Sequence, residues 1–230
     1  MLNYEVDPAV LSPLLPAGTQ LDLWEGRALA SVVGFLFRKT RLLGLPVPFH
    51  TQFEEINLRF YVLRQEMGET RRGVTFIKEI VPRVWIARMA RWLYGENYVS
   101  MPTRRTIEEH KGRLCPEGLV EYTWRHRGGL NRLGGLALGD PQPLEPKSEE
   151  EFISEHYWGY TRLGPKKTGE YRVEHPAWRV WAVAQPYLLC NVKEMYGSAF
   201  EPFLHRRPRS AFLAEGSKVA VGWKRREIRL

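Results

Sequence analysis

Cysteine is nearly absent. The two thiols in 230 residues, Cys115 and Cys190, lie far apart and outside any Cys-x-x-Cys arrangement. Neither a disulfide framework nor a zinc ribbon is indicated, and a reducing cytoplasm is the expected location. Long apolar runs are missing as well. The longest, residues 28–37, is interrupted by Ser31 and Gly34 and is about half the length a membrane-spanning helix needs, so no membrane partner is expected. The opening residues Met1-Leu-Asn-Tyr-Glu-Val-Asp7 have neither the basic start nor the apolar stretch of a signal peptide. No phosphate loop, Gly-x-Gly-x-x-Gly turn, Gly-x-Ser-x-Gly elbow or His-Glu-x-x-His pair occurs, which lowers the standing of those enzyme classes. The six histidines are scattered along the chain, so the sequence calls for neither metal nor cofactor.

What is present is a chain able to bury a large core: 43% hydrophobic and 12% aromatic residues, with eight tryptophans. This suits a single domain over 1–230, with an irregular Pro- and Gly-rich arm at 1–20 and a strand-rich body at 21–226. The net charge of +8 favours anions of any kind. The basic residues come in short separate groups, such as Arg71-Arg72, Arg104-Arg105 and Lys166-Lys167. That pattern reads as solvated faces, disfavours a nucleic-acid partner and is compatible with a homo-oligomer.

Residues 24–37 read as a long strand or hairpin, followed by a loop punctuated by Gly44, Pro46 and Pro48 and ending at His50. The alternation at 53–63 is the most informative. Ile56, Leu58, Phe60 and Val62 share one face, while Glu55, Asn57 and Arg59 share the other, bracketed by Phe53, Tyr61 and Leu63. The next strand, 73–81, would put Val74, Phe76, Lys78 and Ile80 on one face. Helical spacing follows at 82–94, with Trp85, Ile86, Met89, Ala90 and Leu93 inward and Gly95 as C-cap. A strand at 119–127, turns at Gly128-Gly129 and Gly134-Gly135, a linker at 139–147, a capped helix at 148–158 and strands at 169–174 and 178–185 follow. A hairpin at 210–226 closes the chain.

A carboxylate, an amide and a guanidinium on successive same-face positions stand about 7 Å apart per step. They can line a pocket that grips a carboxylate or carbonyl, or they can form an outward polar stripe; alternation alone leaves both open. Lys78 among apolar neighbours would have a depressed pKa if buried, or would extend to the rim.

The run Phe53-Glu-Glu-Ile-Asn-Leu-Arg-Phe-Tyr-Val62, then Arg72-Gly-Val-Thr-Phe76, Tyr94-Gly-Glu-Asn-Tyr98, Met101-Pro102, His175-Pro176 and Ser210-Ala-Phe-Leu-Ala-Glu-Gly-Ser217 resembles the YqjF-like family of uncharacterised bacterial proteins. Through it the chain more distantly resembles acetoacetate decarboxylase. That resemblance implies a mainly β (α+β) fold, an antiparallel cone-like β-barrel with a few short helices around a small-molecule cavity. It also places Glu55 at an active-site acidic position. The Schiff-base lysine of that superfamily has no counterpart, because Thr103, Arg104 and Arg105 follow Met101-Pro102, and a guanidinium stays protonated.

The expected function is therefore binding of a small organic acid or carbonyl compound in a barrel cavity. Glu55 would act as general acid or base, Asn57 as orienting donor, and Arg59, Arg104 and Lys78 as ligand contacts. A non-catalytic small-ligand binding protein or sensor on the same fold is the alternative.

Overall fold

The computed structural model describes the backbone except at residues 39–40, 43–44, 47–51, 112, 218–219 and 222–224, and the side chains except at 38–51, 112 and 218–224. Gly44, Pro48 and His50 of the expected loop lie outside the described residues.

The spine is the strand Gln52–Glu66, paired antiparallel with Arg27–Arg38 on one side and Glu69–Val81 on the other. Its apolar face is fully buried: Ile56, Leu58, Phe60 and Val62 join the main core with Trp124, Tyr160 and Met195. Such burial, at about 25 cal/mol per Å² of apolar surface, fixes the register, because a one-residue slip would expose the whole face. The hairpin from Leu23–Trp24 into Arg27–Arg38 turns at Glu25 and Gly26, both at positive φ, as a two-residue hairpin loop requires.

One sheet of sixteen strands runs, in spatial order, through Thr103–Ile107, Leu119–His126, Gly129–Gln142, Val180–Leu189, Ser210–Ala214 and Leu2–Glu5. It continues through Arg27–Arg38, Gln52–Glu66, Glu69–Val81, Trp158–Gly164, Lys167–Glu174 and Ala220–Val221, with four short strands attached beside this path. The mainly β character holds, but the expected closed antiparallel barrel does not. No pairing joins the two end strands among the described residues, and Glu69–Val81 pairs in parallel with both Trp158–Gly164 and Tyr98–Ser100. The second parallel pair follows from its connection, since a helix, Val84–Tyr94, carries the chain back before the next strand begins. The sheet curls without closing. At Gly34 a Cβ would stand 2.7 Å from the Tyr122 ring, so glycine there lets the far half of the sheet pack onto the near half.

Other expectations are corrected. Residues 1–20 are not an irregular arm throughout: Leu2–Glu5 is an interior strand between Ser210–Ala214 and Arg27–Arg38, with Leu2 and Tyr4 in the core. Gly134 and Gly135 make no turn and lie inside Gly129–Gln142, where their missing side chains admit the Tyr187 hydroxyl and Val183. The helix opened by Ser148 ends at Ser154, and Trp158 starts a strand. The two arms of the expected 210–226 hairpin part company: Ser210–Ala214 pairs with Leu2–Glu5 and Val180–Leu189, whereas Ala220–Val221 and Arg226–Arg229 pair with Lys167–Glu174. In Val84–Tyr94, Ile86 and Ala87 are buried, and Trp85 faces outward with Trp92.

Candidate functional site

The polar face of Gln52–Glu66 is closed to water at Glu55 and Asn57, while Arg59 is partly exposed. Glu55 and Asn57 are each 1% exposed, as is Glu79 on the neighbouring strand. Asn57 stands opposite Glu79, and Leu58 opposite Lys78, but Arg59 stands opposite Phe76. Ile77 is therefore an extra residue, a β-bulge, and it exchanges the faces of the strand on either side of it. Val74 and Phe76 consequently share the face of Glu55, Arg59 and Tyr61, while Lys78 and Ile80 share the apolar face of Leu58. The single face expected for Val74, Phe76, Lys78 and Ile80 is split in two.

The chain then folds a third carboxyl onto this place. Val84–Tyr94 ends at Gly95, whose φ of 74° is the left-handed conformation favouring glycine. Glu96 follows, and the next strand sets Tyr98 opposite Glu79. Tyr171 arrives from Lys167–Glu174, its ring lying over Gly159, where a Cβ would fall 2.1 Å from the ring carbon bearing the hydroxyl. Its other side meets the Tyr94 ring at 5.1 Å between centroids.

The hydrogen bonds are short in reach and wholly internal. Asn57 Nδ2 donates to Glu55 Oε1 at 3.1 Å, and the Tyr98 hydroxyl to Glu55 Oε2 at 3.3 Å. The Tyr171 hydroxyl donates to Glu96 Oε1 at 3.0 Å, and the Thr161 hydroxyl donates to the same oxygen. Asn57 Oδ1 and Glu79 Oε2 are buried without a partner. Burial pushes Glu55 up to about 7, against the opposing pull of Asn57, Tyr98 and Arg59. Burial likewise pushes Glu96 up to about 8, opposed first by its hydrogen bonds from Thr161 and Tyr171. Glu79 rises well above the usual carboxylate range through burial and then through repulsion from Glu96 and Glu55. Three carboxyls in a low dielectric cannot all ionise, so near neutrality the cluster holds protons that it can donate. Among the described residues no group of three or more His, Cys, Asp or Glu is placed to hold a cation.

The residues singled out from the sequence do not all converge here. Glu55 and Asn57 do. Arg59 biases Glu55, but its hydrogen bonds go to the Ile153 carbonyl at 3.4 Å and to Met1 Sδ at 3.6 Å. Arg104 is exposed on Thr103–Ile107, and its neighbours Thr103 and Arg105 bind Glu54, on the opposite face of the spine from Glu55. Lys78 points to that opposite face too. The residues missed were Glu79, Glu96, Tyr98 and Tyr171. Glu96 and Tyr98 stand inside the Tyr-Gly-Glu-Asn-Tyr run already quoted, so their signal was in view without its meaning.

The fold of this mainly β chain is similar to that of acetoacetate decarboxylase-like proteins. The acetoacetate decarboxylase-like enzyme from Sphingomonas wittichii RW1 superposes with a TM-score of 0.63 at 18% identity, covering 99% of this chain and 89% of that one. The enduracididine biosynthesis enzyme MppR, solved with HEPES buffer bound, gives 0.68 at 16% identity over 99% and 84%. Acetoacetate decarboxylase from Legionella pneumophila gives 0.53 at 12% over 99% and 80%. These likenesses establish the fold. The chain belongs to the DUF2071 family, described as an uncharacterized conserved protein, whose model matches residues 1–218. No curated protein matches it. Among the described residues no helix is long and apolar enough to cross a membrane.

Proposed function

We propose that this protein binds a small carbonyl compound, such as a short oxo acid, at the Glu55–Glu79–Glu96 cluster and moves a proton at the carbon beside the carbonyl, without forming an imine. The observation that carries this reading is the pair of unpartnered groups on facing strands, Asn57 Oδ1 and Glu79 Oε2, beside carboxyls that burial keeps protonated. An acceptor and a proton-bearing oxygen on facing positions, in a low dielectric, complement a neutral enol, whose hydroxyl donates to Asn57 Oδ1 and whose oxygen takes its proton from the Glu79 carboxyl. Glu55, near 7, is poised to take and return that proton. Arg59 supplies positive charge nearby, and Tyr98 fixes the Glu55 carboxyl. MppR has been solved complexed with pyruvate, which makes pyruvate a natural first probe.

The structure of the 101–105 segment fits chemistry without an imine, since it offers no amine and its side chains engage Glu54. Lys78, on the other face of the sheet, has no route to Glu55 within this fold. Binding without chemistry is the second reading, favoured by the depth at which Glu55 and Glu79 lie.

In D₂O, the wild-type protein is expected to exchange the methyl protons of pyruvate, followed by proton NMR, and Glu55→Gln to lose most of that exchange while folding normally. Borohydride treatment with pyruvate should leave both the 101–105 peptide and Lys78 unmodified on mass mapping. Exchange that survives in Glu55→Gln, or a reduced adduct on lysine, would overturn the proposal. Saturable binding with no exchange would select the second reading.

A further inference from the structure

The opposite face of the sheet contains a second group of polar atoms that the Glu55 cluster does not use. Lys78 stands opposite Leu58 on the apolar face. Its ammonium donates to the Met195 carbonyl and lies 5.9 Å from the centroid of the Tyr196 ring. No carboxylate pairs with it among the described ion pairs. In the core on this face, the Tyr4 and Tyr196 hydroxyls are buried without a hydrogen-bond partner, and both residues belong to one core cluster against which Cys190 packs. Cys190 lies close enough to Tyr4, Tyr196 and Lys78 to bias the ionisation of each, and Tyr4 to bias that of Tyr196. Burial holds the Cys190 thiol up at about 12, so it brings no negative charge to offset the lysine.

Each unpartnered hydroxyl here has a proton to give, and an unmet buried donor is destabilising. Two such hydroxyls near one half-buried lysine that no described carboxylate pairs, in a largely apolar surround, describe the complement of an acceptor bearing a single negative charge. A dianion would leave excess charge buried, and a neutral amide would leave the lysine unpaired.

We infer that the interior of the curled sheet holds a second ligand site, for a small monocarboxylate whose oxygens accept from Lys78 and from the hydroxyls of Tyr4 and Tyr196, with its apolar tail in the core around Leu58. This site is independent of the proton-transfer reading, because it lies on the other face of the same strands.

Propionate is the probe, since it carries a carboxylate and an apolar tail but no ketone on which the Glu55 cluster acts. Calorimetric titration of the full chain should show saturable one-to-one binding of propionate and at least tenfold weaker binding of propionamide. Lys78→Met should weaken propionate at least tenfold. Tyr196→Phe should weaken it severalfold, yet melt no lower than wild type without ligand, because the hydroxyl has no partner to lose. If Lys78→Met does not fold, the Tyr196→Phe pair of measurements decides. Absence of saturable binding, equal affinity for the amide, or unchanged affinity in Tyr196→Phe would overturn the inference. So would a clear loss of unliganded stability in Tyr196→Phe, which would show that the hydroxyl is already partnered by water.

Discussion

At the scale of single residues, burial raises the carboxyls of Glu55, Glu79 and Glu96 above the usual range. Glu96 shows the consequence for stability. Its folded pKa, about 8, lies above its usual value, so the folded state binds the proton more tightly than the unfolded one. That stability is complete below the usual carboxylate pKa and is lost as pH rises through 8. Glu96→Gln keeps the acceptor for Thr161 and Tyr171 but removes the charge. Thermal melts should therefore place it several degrees above wild type at pH 8.5 and level with or below it at pH 5. A variant that is less stable at both values would mean Glu96 is ionised in the fold. None of this is visible at Glu96 in the sequence, because its burial is created by strands 65 and 75 residues away.

At the scale of elements, the 53–63 alternation was legible because the strand is long and each face is uniform in character. Burial of Glu55 and Asn57 then excluded an outward polar stripe at those positions. The bulge at Ile77 was not legible, since an inserted residue leaves the pattern of a strand nearly unchanged while exchanging its faces. Leu2–Glu5 was missed because four residues are too few to establish a period. Gly134-Gly135 has turn-like composition, yet serves the close approach of Tyr187 and Val183. Gly159 serves the same purpose for Tyr171, and there the site depends on it. Gly159→Ala should cost about 2 kcal/mol by overpacking, measured in urea, and by displacing the Tyr171 hydroxyl from Glu96 should raise the Glu96 pKa further, as Tyr171→Phe should also do. An alanine variant as stable as wild type would show that the ring has room to move.

At the scale of the whole molecule, opposing linkages set a preferred pH. Glu66 accepts from Arg226 and Arg64 and is held down at about 2, so its contribution is present above the usual carboxylate pKa and is lost as pH falls toward 2. The buried carboxyls act in the other direction, from the usual value upward through 7 and 8. Melting temperature should therefore be highest near pH 5 and fall on both sides, and a plateau from pH 5 to 8.5 would contradict the account. The surface charge follows the same logic of pairing. Arg71, Arg72, Arg105, Lys167 and Arg226 are engaged by Glu66, Asp22, Glu54 and Glu227. Part of the scattered basic charge is thus taken up in ion pairs along the surface, and binding to DNA in 150 mM salt should be weak and without sequence preference in a fluorescence titration.

The most direct test of the central claim is a carboxyl titration. With glutamate labelled at Cδ by carbon-13, NMR spectra from pH 4 to 9 should contain resonances that titrate at or above neutrality. These should disappear one at a time in Glu55→Gln, Glu79→Gln and Glu96→Gln. If every glutamate in the protein titrates in the ordinary acidic range, the carboxyl cluster is ionised at neutral pH, and the proposed proton donor does not exist.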